Sequence, residues 1–196
     1  IFKKAGCHIF ANQDYMSRIR GGNNFFQVRV SDIPLFTLRK KADIFVALYF
    51  HVLNHDPKNP EWEDRDRLFL SNGHICPVRY AAMARAGYFP VDELKTLRKF
   101  GTRLQGHPER EKLPGLESTS GPLGSGLSQA AGMAYAARMD GKKFRTYCIM
   151  SDAEHDAGNI WEGAMFAGDN KLHNLTAIID RNNIQIDGMT EDIMPL

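Results

Sequence analysis

Apolar positions along this chain fall into two regimes, irregular up to about residue 41 and regularly spaced beyond it. Over 42–53, Ile44, Phe45, Leu48, Tyr49 and Val52 recur at helical spacing, which predicts a buried helix. The polar stretch 54–60, with Pro57 and Pro60, ends it. The apolar run 68–70 predicts a short strand, and Ser71-Asn72-Gly73-His74 a turn after it. Residues 77–86 are rich in Ala and Met and read as a helix. A second helix is expected over 91–100, with Asp92 and Glu93 in its first turn and Arg98 and Lys99 near its end. Glycines and prolines crowd 101–125, which predicts a long loop of the kind that carries function or is disordered. A small-residue helix suited to close packing follows over 126–139. The pattern then reads strand (145–150), helix (160–170), strand (175–180). That is one βαβ unit, hence a parallel pair joined by a right-handed crossover. Its strands are continuous apolar runs, as expected when both faces are covered. The fold class is therefore α/β, a mostly parallel sheet with helices on both faces.

Charge changes the picture only at the amino-terminal end. The net charge is +2, yet eight of the 25 Lys and Arg lie in residues 1–41 against two of the 23 acids. Such a segment suits either a nucleic-acid-binding arm or a solvated one. No helix face collects the arginines, which favours the solvated arm and no nucleic-acid partner. The segment reads as irregular over 9–41, with at most a short strand near 25–30 and a turn at Gly21-Gly22-Asn23-Asn24. Cys7, Cys76 and Cys148 form no CxxC pair, which excludes a disulfide scaffold and a cysteine zinc site. It also predicts a reducing, cytoplasmic setting. No apolar run has the length of a membrane span, so no membrane partner is expected. The chain opens on Ile1 rather than Met and stops soon after Gly188 without a closing element. The expectation is an atypical basic segment (1–41) and a truncated domain (42–196).

Candidate chemistry sits where the βαβ strands end. Asp152 follows the first strand and Asn182 the second, one crossover apart. Adjacent parallel strands lie about 4.8 Å apart, so a carboxylate and an amide oxygen can meet over one cation. Such a low-charge oxygen set suits Mg²⁺ shared with phosphate and water. From these residues alone a second reading stays open, in which Asp152 caps the next helix and Asn182 forms a turn.

Four segments bear on that choice: "ADIFVALYFHVLNHDPKNPEWEDRDRLFLSNGH" (42–74), "GTRLQGHPE" (101–109), "PGLESTSGPLGSGLSQAAGMA" (114–134) and "NKLHNLTAIIDRNNIQIDG" (170–188). In order and spacing they resemble the thiamine-diphosphate domain of the transketolase family, most of all the amino-terminal subunit of split transketolases. The resemblance implies a thiamine-diphosphate-binding fold. It implies that Asp152, Asn182 and the Ile184 carbonyl ligate Mg²⁺, and that the N–H of Ala153 meets a phosphate oxygen. His74 would lie near the diphosphate and the reacting carbons, and His107 would touch the sugar. Gly121 and Leu123 would contact the cofactor rings. His8 is a further candidate, while His51, His55 and His173 match no family position and are expected at the surface. His155 has no family role.

The implied activity is transfer of a two-carbon ketol unit between sugar phosphates. The implied partner is a pyrimidine-binding transketolase subunit or domain, in a homo- or hetero-oligomer, because the catalytic glutamate of the pyrimidine half has no place here. Three departures stand out. The family's GDG reads Ser151-Asp152-Ala153, so a positive φ at 153 would strain an alanine. The glutamate before Gly158 is Ala157. Residues 9–41 match nothing in the family, and Cys7 stands where it has glycine. These departures keep open the alternative of a non-catalytic cofactor-binding subunit. A deoxyxylulose-phosphate-type synthase is disfavoured by the spacing from "GHPE" to "GPLGSG".

Overall fold

A computed structural model describes residues 8–12, 27–31, 39–186 and 188–195. Its centre is a parallel sheet of three strands in the order β3–β4–β5, formed by Arg67–Leu70, Thr146–Ser151 and Leu175–Asp180. The registers run Leu70 with Ile149 and Ser151 with Asp180, so all three strands end on the same side.

Alternation of side chains splits the sheet between two packed layers. Leu68, Leu70, Tyr147 and Ile149 face α1 (Arg39–Ala47) and α2 (Cys76–Ala86), meeting Phe45, Tyr80 and Met83. Phe69, Cys148 and Met150 face the other way, onto Leu127 and Ala130 of α3 (Ser125–Met139) and Ile160 of α4 (Gly158–Asp169). Small residues let α3 come close: Gly126 lies directly against Ser71. Helices therefore cover both faces, as the α/β pattern requires.

Several local expectations are corrected. The first helix starts at Arg39 and turns π-helical over Leu48–Val52, ahead of the two prolines. The expected helix over 91–100 is a 3₁₀ segment, Val91–Thr96, because Leu97 is extended and Arg98 adopts φ 59°. Glu93 is used there by Arg103, whose Nε donates at 2.6 Å. The 9–41 segment holds not one strand but two, β1 (His8–Asn12) and β2 (Gln27–Ser31), paired antiparallel. Cys7 and the side chain of His8 lie outside the described residues. β4 is buried throughout, but β5 is not covered on both faces, and Ile179 is 49% exposed. After β5 come a small hairpin, β6 (Ile184–Gln185) and β7 (Gly188–Met189), and a short helix α5 (Thr190–Ile193). Among the described residues no helix is long and apolar enough to cross a membrane.

Candidate active site at the strand ends

The carboxyl ends of parallel strands are where open α/β sheets bind ligands. Here that edge gathers Ser71–His74 after β3, Asp152 after β4 and Asn182 after β5. Asp152 and Asn182 thus follow the ends of hydrogen-bonded neighbours.

Asp152 is fully buried, and its carboxylate is organised by the hairpin that follows β5. Oδ2 accepts from the Asn183 N–H at 2.7 Å and from the Thr190 hydroxyl at 3.2 Å. Oδ1 accepts from the Ala153 N–H at 3.0 Å. Asn183 makes its contact from φ 62°, a left-handed conformation that Asn tolerates better than most residues. Asn182 Oδ1 accepts from the Ile184 N–H at 2.9 Å. A carboxylate oxygen and an amide oxygen each have two acceptor directions. Asp152 Oδ1 and Asn182 Oδ1 therefore each keep one, which the described contacts leave open for a cation. The donor set fits a hard cation of the Mg²⁺ kind. Among the described residues no group of three His, Cys, Asp or Glu converges as a metal site. A metal here would thus rest on a mixed set of carboxylate, amide and carbonyl oxygens.

The structure bears on both alanines that depart from the family pattern at this loop. Ala153 begins a 3₁₀ turn, Ala153–Asp156, with right-handed backbone, so no positive φ strains its Cβ. Its N–H, assigned to a phosphate by resemblance, is occupied by Asp152. Ala157 has extended backbone (φ −91°, ψ 121°) at the start of α4 and supplies no side-chain cap. Asp156, nearby, reaches across to Gln185 Nε2 at 2.6 Å and ties the turn to the hairpin.

Sequence reasoning missed Glu154. It is fully buried and takes three donors: Ser71 Oγ at 2.7 Å and Gly124 N at 3.0 Å on Oε1, and Ser151 N at 3.0 Å on Oε2. The only signal was an acid two residues after Asp152, close behind a largely apolar strand. His155, given no role from sequence, is also buried. Its Nδ1 lies 2.9 Å from the Ser151 carbonyl and 3.2 Å from that of Asp152, so Nδ1–H donates there and braces the strand end.

The two histidine motifs meet at Gly73. A Cβ on Gly73 would lie 2.8 Å from His107 Cδ2 and 2.4 Å from Ser120 Oγ, so only glycine lets the two loops close on the turn that carries His74. The turn is short, Gly73–Ile75, with His74 half-buried. The "GHPE" loop is held from α2, where the Cys76 thiol donates to the Gly106 carbonyl at 3.1 Å and Tyr80 donates to the Gln105 carbonyl at 3.1 Å. Burial pushes the Cys76 thiol up to about 12, so it stays a protonated donor. His107 is exposed, and its pKa is lowered, first by partial burial of the ring and then by the Arg98 charge. Beside this junction the Asn72 amide and the Ser120 hydroxyl are buried and without hydrogen-bond partners among the described residues.

Gly121 and Leu123 lie on an exposed loop before α3, and among the described residues nothing packs within 4 Å of where a Gly121 Cβ would stand. Ile184 opens β6 with its side chain exposed. His55 is not a plain surface residue. It is half-buried, with Nε2 2.8 Å from the Tyr49 carbonyl and Nδ1 2.9 Å from the Tyr88 hydroxyl.

Comparison with known proteins bears on this geometry. The family model described as transketolase, thiamine diphosphate binding domain, matches residues 37–195.

The chain belongs to the transketolase family.

It is 48% identical over 155 residues to the 6-deoxy-6-sulfo-D-fructose transketolase subunit SqwG of Clostridium sp. (strain MSTE9), covering 79% of this chain and 56% of that protein. It is 43% identical over 154 residues to an apulose-4-phosphate transketolase subunit of Phocaeicola vulgatus, covering 79% and 54%. The chain thus spans about half the length of these transketolase relatives. Among solved structures, the transketolase from Leishmania mexicana superposes with a TM-score of 0.72 at 37% identity, covering 78% of this chain and 24% of that one.

Proposed function

We propose that this chain is the amino-terminal, diphosphate-holding part of a thiamine-diphosphate- and Mg²⁺-dependent transketolase. It would move a two-carbon ketol unit between sugar phosphates, with a pyrimidine-binding subunit or domain completing the site. The observation that carries this reading is the pair Asp152 and Asn182 on neighbouring strand ends, each with an oxygen that has one acceptor direction left. Those oxygens and the Ile184 carbonyl would hold Mg²⁺ against a diphosphate. When bound, the cofactor supplies the carbanion chemistry that breaks and remakes a carbon–carbon bond.

The chain's own residues bind and orient. Rotating the Asp152 carboxylate off the Ala153 N–H would free that N–H for a phosphate oxygen and Oδ1 for the cation, with the backbone at 153 unchanged. Gly121 and Leu123 would offer a surface to the rings. His107, kept toward its neutral form, both donates and accepts hydrogen bonds and suits sugar hydroxyls. His74, across Gly73 from it, would face the diphosphate side. The outer faces of α3 and α4 support a partner, since Tyr135, Met139, Trp161 and Met165 are exposed there.

The test uses the full-length protein with its pyrimidine-domain companion. Calorimetric titration should show thiamine diphosphate binding that depends on Mg²⁺, and a coupled assay should show ketol transfer. Asp152→Asn should weaken binding at least tenfold with an unchanged circular dichroism spectrum. Equal affinity in the variant would remove Asp152 as a ligand, and turnover by this chain alone would remove the need for a partner. Ala157 favours a second reading, a non-catalytic cofactor-binding subunit, because no carboxylate stands at the start of α4. Cofactor binding without ketol transfer would select it.

A further inference from the structure

Glu154 is a fully buried carboxylate with no Lys, Arg or His in ion-pair contact among the described residues. A charge in that position is costly unless hydrogen bonds satisfy it. Its three donors come from three separate pieces of the molecule. Ser71 follows β3, Gly124 caps the fifteen-residue helix α3, and Ser151 ends β4. Ser71 Oγ in turn accepts the Gly126 N–H at 3.3 Å, so two backbone donors of the α3 start run into this one carboxylate. The positive end of the α3 dipole favours the same charge.

The loop before α3 has little else to fix it. Gly121, Pro122 and Leu123 are all exposed. A second tether runs from Asn159 Nδ2 to the Leu123 carbonyl at 3.0 Å. Both tethers originate just after Asp152, in residues 154 and 159.

We infer that Glu154 is a positioning residue that registers the Gly121–Gly124 loop against the Ser151–Asp152 strand end, so that one ligand can be gripped at both places at once. The inference rests on the proposed function, in which the loop meets the cofactor rings and Asp152 serves the diphosphate. A glutamine at 154 would turn an amide N–H₂ toward either the Ser151 N–H or the Gly124 N–H, and one of the two attachments would be lost.

The experiment compares two probes on the full-length protein assembled with its companion subunit. One is thiamine diphosphate with Mg²⁺, which would use both places. The other is inorganic diphosphate with Mg²⁺, which would use only the strand end. For Glu154→Gln, affinity for thiamine diphosphate should fall at least tenfold while affinity for inorganic diphosphate stays within twofold. Amide hydrogen exchange at Gly124 should speed up. If Glu154→Gln does not fold, Ser71→Ala keeps the carboxylate and removes one donor, and it should show the same selective loss, smaller in size. Equal losses for both probes would mark Glu154 as merely structural and overturn the inference, as would no loss for either. A wild-type protein that binds neither probe would overturn the proposed function, and this inference with it. Wild-type binding of both, with an unselective variant, would overturn the inference alone.

Discussion

Gly126 offers a sharp test of how α3 is seated, because two known effects oppose each other there. Alanine is about 1 kcal/mol better than glycine in a helix, so propensity alone predicts that Gly126→Ala stabilises. Packing predicts the reverse. The added Cβ would lie 2.5 Å from Ser71 Cβ, 2.7 Å from Ser71 Cα and 2.8 Å from Ser71 Oγ. That is about 1 Å inside an ordinary carbon–carbon contact. No rotamer relieves a clash with backbone, and Ser71 is pinned by its N–H to the Ile149 carbonyl at 2.9 Å. The helix start would have to retreat, with an overpacking cost of about 1–3 kcal/mol. Retreat would also lengthen the Gly126 N–H bond to Ser71 Oγ, a further loss of about 1 kcal/mol. The clash outweighs the propensity gain, and the expected net destabilisation is about 1–3 kcal/mol. Gly132 lies in the same helix, and among the described residues nothing stands within 4 Å of its would-be Cβ. Gly132→Ala should therefore gain about 1 kcal/mol from propensity. Urea unfolding followed by circular dichroism reads both on one scale. The reasoning fails if Gly126→Ala unfolds at or above the wild-type midpoint, or if the two variants move the same way.

Two further outcomes are expected. His107 should titrate below 6.5 in an NMR experiment, through partial burial and then the Arg98 charge, and Arg98→Gln should move it up. The sign follows from linkage: the unfolded chain takes the proton first, so acidification below about pH 6.5 costs stability at this group. An unmoved midpoint in the variant would remove Arg98 as a cause. Ala153→Gly should change thiamine diphosphate affinity by less than about twofold, or 0.4 kcal/mol at 1.4 kcal/mol per tenfold. Residue 153 already has right-handed backbone, so there is no strain to relieve. A several-fold gain on titration would mean that the bound loop needs another conformation at 153.

The amino-acid pattern by itself determined the parallel β4–α4–β5 unit, the strand expected at 68–70 and the helices expected over 77–86 and 126–139, each within one residue of its observed start. Continuous apolar runs and helical spacing are local properties, and burial rewards them in only one way. The same pattern placed Asp152 and Asn182 at adjacent strand ends, because a crossover between parallel strands leaves little choice of neighbour. It failed at 91–100, where charges suited to a helix dipole were spent on a cross-loop pair between Glu93 and Arg103 and Arg98 took a left-handed turn. It left Ala153 open, because whether an alanine is strained there depends on a dihedral that composition does not specify. It also passed over Glu154, whose partners Ser71 and Gly124 are 83 and 30 residues away. Which donors reach a buried carboxylate, and whether a glycine is needed because a serine or a histidine ring presses on it, are questions of atoms brought together from distant segments. Only the packed tertiary structure decided those, because a hydrogen bond or a clash is set by separations of a few tenths of an ångström that no local sequence rule encodes.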